Sequence, residues 1–170
     1  MAAATQGMDF DALTKAVKKA HPEALVADAP HEKHLEATAA GWGALAGYLR
    51  SDPQLNFDSL MCLTGYDEGV EGSLIVIYNF FSMEHRHKLE VRVKVSREGG
   101  SLPSVANIWR TADWHEREAY DLYGMTFEGH PDHRRILLPE DWEGHPLKKD
   151  FVTPDYYRGI PVPKDKRGWE

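Results

Sequence analysis

Apolar residues first recur at helical spacing. Phe10, Leu13, Val17 and Ala20 form one stripe, with Lys15, Lys18 and Lys19 largely outside it. Short strands are expected in EALVADA and HLEATA, followed by a second amphipathic helix marked by Trp42, Leu45 and Leu49 and stopped by Pro53. The period then drops to two. LNFDSLMCL and SLIVIYNFF are strand candidates, the second so continuously apolar that both its faces should be covered. In KLEVRVKV the alternation is regular: Leu89, Val91, Val93 and Val95 go inward, while Lys88, Glu90, Arg92 and Lys94 go outward. The short links EGVEG and SMEHRH predict antiparallel hairpins.

Helical spacing returns at Asp113, with Glu116 three residues on in capping-box position and Gly124 placed to end the helix. Arg117, Asp121, Trp114 and Glu118 fall on one side of it, and His115, Leu122, Ala119 and Tyr123 on the other. Arg117 and Asp121, four apart, are set to pair. Beyond Gly124 the character changes. Six of the ten prolines lie in the last forty residues, which excludes long helices and central strands there. Half of the eighteen aromatics lie between Trp114 and Trp169, too many for a disordered tail. The expected class is therefore α+β: a two-layer body over 1–124, with a mainly antiparallel or mixed sheet packed by helices, and an extended proline- and aromatic-rich docking tail over 125–170 of the same domain.

Within the tail one pattern is written twice. Phe127-Glu128-Gly129-His130-Pro131 leads to Arg134-Arg135, and Trp142-Glu143-Gly144-His145-Pro146 leads to Lys148-Lys149. Each copy reads as a turn that buries its ring and projects a basic pair outward, as a clamp on a partner. In the alternative, both turns fold back on the parent sheet.

Composition narrows the chemistry. A hydrophobic fraction of 42% and a charged fraction of 28% are those of a globular protein, and a net charge of -7 argues against nucleic-acid binding. No apolar run reaches the length of a membrane span, and MAAATQGMDF lacks the features of a secretory signal, so a cytoplasmic chain is expected. Cys62 stands alone in an apolar run, which leaves no thiolate set for a cluster and makes a small buried hydrophobe the expected role. His85 with His87, and His130 and His133 near His115 and His145, invite a metal reading, but HERE is not HExxH, and His130 and His145 each precede proline. A structural role is the default for them. GWGALAG, with Gly41, Gly43 and Gly47, is one residue longer than the dinucleotide fingerprint and follows no strongly apolar strand. Glycines that let a helix start close to the sheet explain it as well. Glu116, Glu118 and Asp121 crowd one helix, but Glu118 lies far round from Glu116 and Arg117 sits beside Asp121. A solvated or partner-facing charged surface is expected rather than a catalytic dyad.

The run Glu116-Arg117-Glu118, Asp121-Leu122-Tyr123, His130, Arg134 and Ile136-Leu137 resembles the signature of a known family. This is the C subunit family of the respiratory NADH:quinone oxidoreductase, complex I. The resemblance is dense from Pro103 to Phe151 and looser from Leu45 onward. It implies a cofactor-free subunit of the hydrophilic arm that packs against the large quinone-site subunit and other arm subunits. FMN, iron–sulfur clusters and quinone would then belong to partners, and the complex would couple NADH oxidation and quinone reduction to proton translocation. The implied place is peripheral, on the cytoplasmic side of the bacterial inner membrane, with membrane association indirect through partners. No catalytic, cofactor-binding or metal residue is implied. The signature residues are structural and assembly positions, with Arg135, Trp142, His145, Lys148 and Lys149 as further interface candidates. His133 departs from the apolar residue expected at its position. Two alternatives stand beside this reading: the equivalent subunit of an energy-converting hydrogenase, and a free-standing nucleotide-binding enzyme built on GWGALAG.

Overall fold

Four alternating segments pair into one mixed sheet. β1 (Leu35–Ala37), β2 (Ser59–Asp67), β3 (Leu74–Phe81) and β4 (Lys88–Val95) take the spatial order β1-β4-β3-β2. The β2–β3 and β3–β4 pairs are antiparallel hairpins, as their short links require, and β1 joins β4 in parallel. The computed structural model describes residues 7–26 and 33–162. Leu89, Val91, Val93 and Val95 stand opposite Phe80, Tyr78, Val76 and Leu74, and all eight are buried on one face. Helices α1 (Phe10–Ala20), α2 (Ala39–Ser51) and α3 (Thr111–Tyr123) supply the second layer. Trp42 of α2 lies over Tyr78 and Phe80, with ring centroids 4.3 and 6.2 Å away, and such pairs add about 0.5–1.5 kcal/mol each beyond burial.

Several elements depart from the expectation. The described part of EALVADA, residues 23–26, is no strand: Pro22 opens a 3-10 turn over Pro22–Ala24, and Leu25 makes a single bridge to Ala37. Ala27, Asp28 and Ala29 lie outside the described residues. LNFD does not begin β2: a turn over residues 53–55, in which the Asp52 carboxylate accepts from the amides of Gln54 and Leu55, delays the strand to Ser59. The continuous apolar run of β3 predicted cover on both faces, yet among the described residues its outer side is only partly covered. Ile75 is buried there while Ile77 and Phe81 are half-buried, with Tyr66 and Lys94 as the flanking partners of Ile75. Cys62 is half-buried on that outer side, not in the core.

The glycines of GWGALAG serve packing. Thr38 caps α2 by accepting from the Gly41 amide at 3.1 Å, and a Cβ on Gly41 would sit 2.5 Å from the Ala24 backbone. The helix start is therefore closed off by the Pro22–Ala24 turn. β5 (Ser101–Pro103) and β6 (Thr126–Glu128) form a small parallel pair on either side of α3 in the chain, and Phe127 in the middle of β6 is buried. β7 (Tyr156–Tyr157) and β8 (Ile160–Pro161) make a terminal hairpin.

Candidate functional site

α3 runs between two surfaces. Its start is pinned to the sheet by the Thr111 hydroxyl, which donates to the Leu60 carbonyl at 3.1 Å, and by the Trp109 indole, which donates to Phe57 at 2.8 Å. Ala112, Glu116 and Ala119 face inward and are buried, and the Tyr123 ring lies where a Cβ of Gly65 would be, 2.5 Å from it. The helix begins two residues before Asp113, so the capping box does not form. Glu116 instead turns into the core. It accepts from the Val105 amide at 2.8 Å and from the Ser104 hydroxyl at 2.5 Å, tying α3 to the segment after β5. Burial pushes its carboxyl up to about 7, against the lowering effect of the Ser104 and Val105 hydrogen bonds, and the nearby Asp113 charge adds to the rise. The expectation of a solvated carboxylate is wrong for this residue, and the apolar surroundings that do this come from the folded sheet.

The opposite side of α3 is covered by the returning chain. Asp121 is fully buried; its Oδ2 accepts from the amides of Ile136, Leu137 and Leu138 at 3.1, 2.7 and 2.8 Å, while Oδ1 accepts from Arg135 at 2.7 Å. Burial raises this carboxyl, but the amides and the Arg135 guanidinium outweigh it and hold the pKa below the ordinary value. Arg117 does not pair with Asp121. Its guanidinium donates to the carbonyls of Arg134 and Arg135 and meets Asp132 at 3.2 Å. The i,i+4 spacing misled because both side chains have better partners in a segment that the helix does not contain.

That segment also caps the helix. Gly124 ends α3 in the left-handed conformation, φ 76°, with its amide on the Tyr120 carbonyl. The free Asp121 carbonyl accepts from Arg135 at 3.2 Å and lies 2.9 Å from His145 Nδ1, and the Leu122 carbonyl accepts from the Leu147 amide at 3.0 Å. A cation at this end also suits the helix dipole. His130 reaches the other end of α3, its Nε2 lying 3.0 Å from the Asp113 carbonyl. His133 fills the place of an expected apolar residue by packing 4.2 Å from the Tyr120 ring and accepting from the Phe127 amide. Burial and His130 lower its pKa, so it stays neutral there.

The repeated pattern is a repeated turn. Gly129 and Gly144 have φ of 78° and 80°, which glycine alone adopts freely. The outward basic pairs do not form. Arg134 is exposed but paired with Asp132, whereas Arg135 is inward and also donates to the carbonyls of Trp142 and Gly144. Lys148 reaches the Arg97 carbonyl, and Lys149 sits 5.8 Å from the Tyr66 ring. Phe127 is buried, while Trp142 is half-buried against Tyr157 at 5.2 Å. Both turns thus fold back on their own body.

A second lock was not legible as a site. The Asp67 carboxylate, at the end of β2, pairs with Arg97 and accepts from the Lys149 amide at 2.8 Å, and Arg97 also meets Asp150 at 2.5 Å. Burial raises the Asp67 carboxyl, but the amides of Lys149 and Gly69 with the Arg97 guanidinium bring it below the usual range. The available signal was an acid at an inward position, two residues after Gly65 on the core face. Of the remaining signature residues, Glu118 is exposed, Leu122 and Tyr123 are half-buried, Ile136 is half-buried and Leu137 is exposed. Among the described residues no group of three or more His, Cys, Asp or Glu is arranged to hold a metal ion, and no helix is long and apolar enough to cross a membrane.

Over 102 residues the chain is 58% identical to the C subunit of NADH-quinone oxidoreductase from Chloroherpeton thalassium, covering 59% of this chain and 42% of that protein. It is 51% identical over 102 residues to the same-named protein of Chlorobium phaeobacteroides, covering 59% and 61%. The chain therefore spans roughly half the length of these relatives. Among solved structures it resembles the trypsin-resistant fragment of Nqo5, with a TM-score of 0.58 and 25% identity over 71% of this chain and 98% of that one. It shares its fold with a chain of the archaeal membrane-bound sulfane sulfur reductase, at a TM-score of 0.64 and 23% identity over 84% and 85%. Residues 35–157, which hold the sheet, α3 and both locks, match the family described as respiratory-chain NADH dehydrogenase, 30 Kd subunit, and the chain belongs to that family.

Proposed function

We propose that the chain is a non-catalytic subunit of the hydrophilic arm of an NADH:quinone oxidoreductase, docked beside the large quinone-site subunit. FMN, iron–sulfur clusters and quinone belong to partner subunits in this reading. The chain sits peripherally on the cytoplasmic side of the membrane and is held there through those partners. The observation that carries it is the use of the signature. Arg117, Asp121 and Arg135 hold the segment after β6 against α3, and Glu116 ties α3 to the segment after β5, which leaves these groups committed to the chain's own fold. Among its surface charges the held segment leaves large apolar side chains in solvent: Leu137, Leu147, Val152, Tyr156 and Ile160 are 49–80% exposed, and Trp114 of α3 is exposed as well. Large exposed apolar side chains on a fixed frame are what a permanent interface needs.

Co-expression with the large quinone-site subunit tests this. Leu137→Glu with Val152→Glu changes exposed side chains only, so the isolated fold should survive while the two subunits no longer co-purify. An undiminished yield of the pair would refute the docking role of this face. Arg135 is unsuited to such a test, because its guanidinium already holds the fold together.

A further inference from the structure

β2 carries a bulge that the docking face after β6 does not use. Leu60 and Leu63 both point into the core, opposite Phe80 and Tyr78, and the register shifts between Leu60 and Cys62. Two consecutive side chains, Met61 and Cys62, are thereby turned to the outer side of the sheet. Cys62, Asn79 and Glu90 stand in register there across β2, β3 and β4. They line a groove of about 530 Å³, together with Met61, Phe10 of α1 and the two exposed lysines Lys33 and Lys88.

The polar groups of this groove are open to a ligand. Among the described residues Lys33 and Lys88 make no ion pair, and the half-buried Asn79 makes no side-chain hydrogen bond. Glu90, the one acid of the lining, is taken by Arg92 at 2.7 Å. On a chain of net charge -7 the groove is therefore locally positive.

We propose that this groove binds an acidic, partly apolar peptide segment of another protein, extended across the sheet. The two ammonium groups call for carboxylates. The Asn79 carboxamide presents a donor and an acceptor side by side, which one peptide unit complements; a phosphate or a lipid headgroup that only accepts leaves half of it unmet. Phe10, Met61 and Cys62 supply an apolar floor. In an extended peptide alternate side chains point opposite ways. Apolar residues then fill the floor, while the acids between them meet the lysine heads, which reach the open side on long stems. The volume lies within the range of ligand sites, about 300–1,000 Å³. None of these residues lies in the segment after β6, so this surface stands apart from the one assigned to the quinone-site subunit.

Amide NMR on the isotope-labelled chain in about 0.1 M salt tests this with two synthetic hexapeptides. One alternates glutamate, the other lysine, with the same leucine and phenylalanine residues. The acidic peptide should shift the Met61, Asn79 and Lys88 amides and bind about tenfold more tightly than the basic one. Lys33→Glu with Lys88→Glu changes exposed side chains only and should reverse that order. Asn79→Leu removes the carboxamide but keeps its bulk, and should weaken the acidic peptide about fivefold. No movement of these amides, equal affinities for the two peptides, or an affinity that the lysine reversal leaves unchanged would overturn the proposal. Anionic phospholipid vesicles that occupy the same amides and are not displaced by the acidic peptide would overturn it as well.

Discussion

Asp121 and Arg135, fourteen residues apart, meet at 2.7 Å with the carboxylate fully buried, and the same arginine caps the end of the helix that carries the aspartate. One ion pair therefore closes α3 and fixes the direction of the chain beyond it. Removing one partner leaves the other charge buried. Asp121→Ala should cost about 3–5 kcal/mol in urea unfolding. Asp121→Asn should cost less than Asp121→Ala, since a carboxamide oxygen still accepts from some of the three amides.

Arg97 and Arg134 make a contrasting pair. Arg97 is the partner of buried Asp67, and Arg97→Ala should cost about 3–5 kcal/mol by the same reasoning. Arg134 is 63% exposed and bonded to a surface carboxylate, so Arg134→Ala should leave the urea midpoint almost unmoved. Equal effects at the two sites would contradict the assignment of Arg97 to a lock.

Two glycines separate backbone strain from crowding. Gly129 and Gly124 have φ of 78° and 76°, but a Cβ on Gly129 meets open space, while one on Gly124 would lie 2.6 Å from the His145 ring. Gly129→Ala should cost about 1 kcal/mol from conformation alone. Gly124→Ala should cost more and should also displace His145 from the Asp121 carbonyl, which the imidazole resonances would report.

Stability should fall at both ends of the pH range, for opposite reasons. Asp67 and Asp121 have lowered folded pKa values. Their contribution is present above the unfolded carboxylate value and is lost as pH falls through the folded one. Glu116 has a raised value, about 7 against 4.5 when unfolded. Its contribution is full below the unfolded value and is lost as pH rises through the folded one, a total of about 3 kcal/mol. Thermal melts of Glu116→Gln should therefore lose the decline between about pH 5 and pH 7 and keep the acid decline.

The sheet was legible because burial on one face writes a period of two into Leu89, Val91, Val93 and Val95, and hairpin links leave little choice of pairing. α2 was legible from Trp42, Leu45 and Leu49 and its stop at Pro53. The partners of the signature charges were not. Spacing along a helix reports only neighbours on that helix, so Arg117 and Asp121 looked like each other's partners while their true partners come from residues 132–138. Glu116 looked like a local cap for the same reason. Its burial depends on Ser104, Val105 and the sheet closing over it, which no local pattern encodes. Arg135 and Arg134 are chemically identical neighbours in the sequence, and only the fold sends one inward and leaves the other in solvent.

The most direct measurement is native-state hydrogen exchange at the amides of Ile136, Leu137 and Leu138, which donate to Asp121. If Asp121 seats the segment on α3, these amides are protected in the parent chain, and Asp121→Ala lowers their protection roughly a hundredfold while Val91 and Val93 in the sheet keep theirs. Free exchange of the three amides in the parent chain, or protection that survives Asp121→Ala, would contradict it.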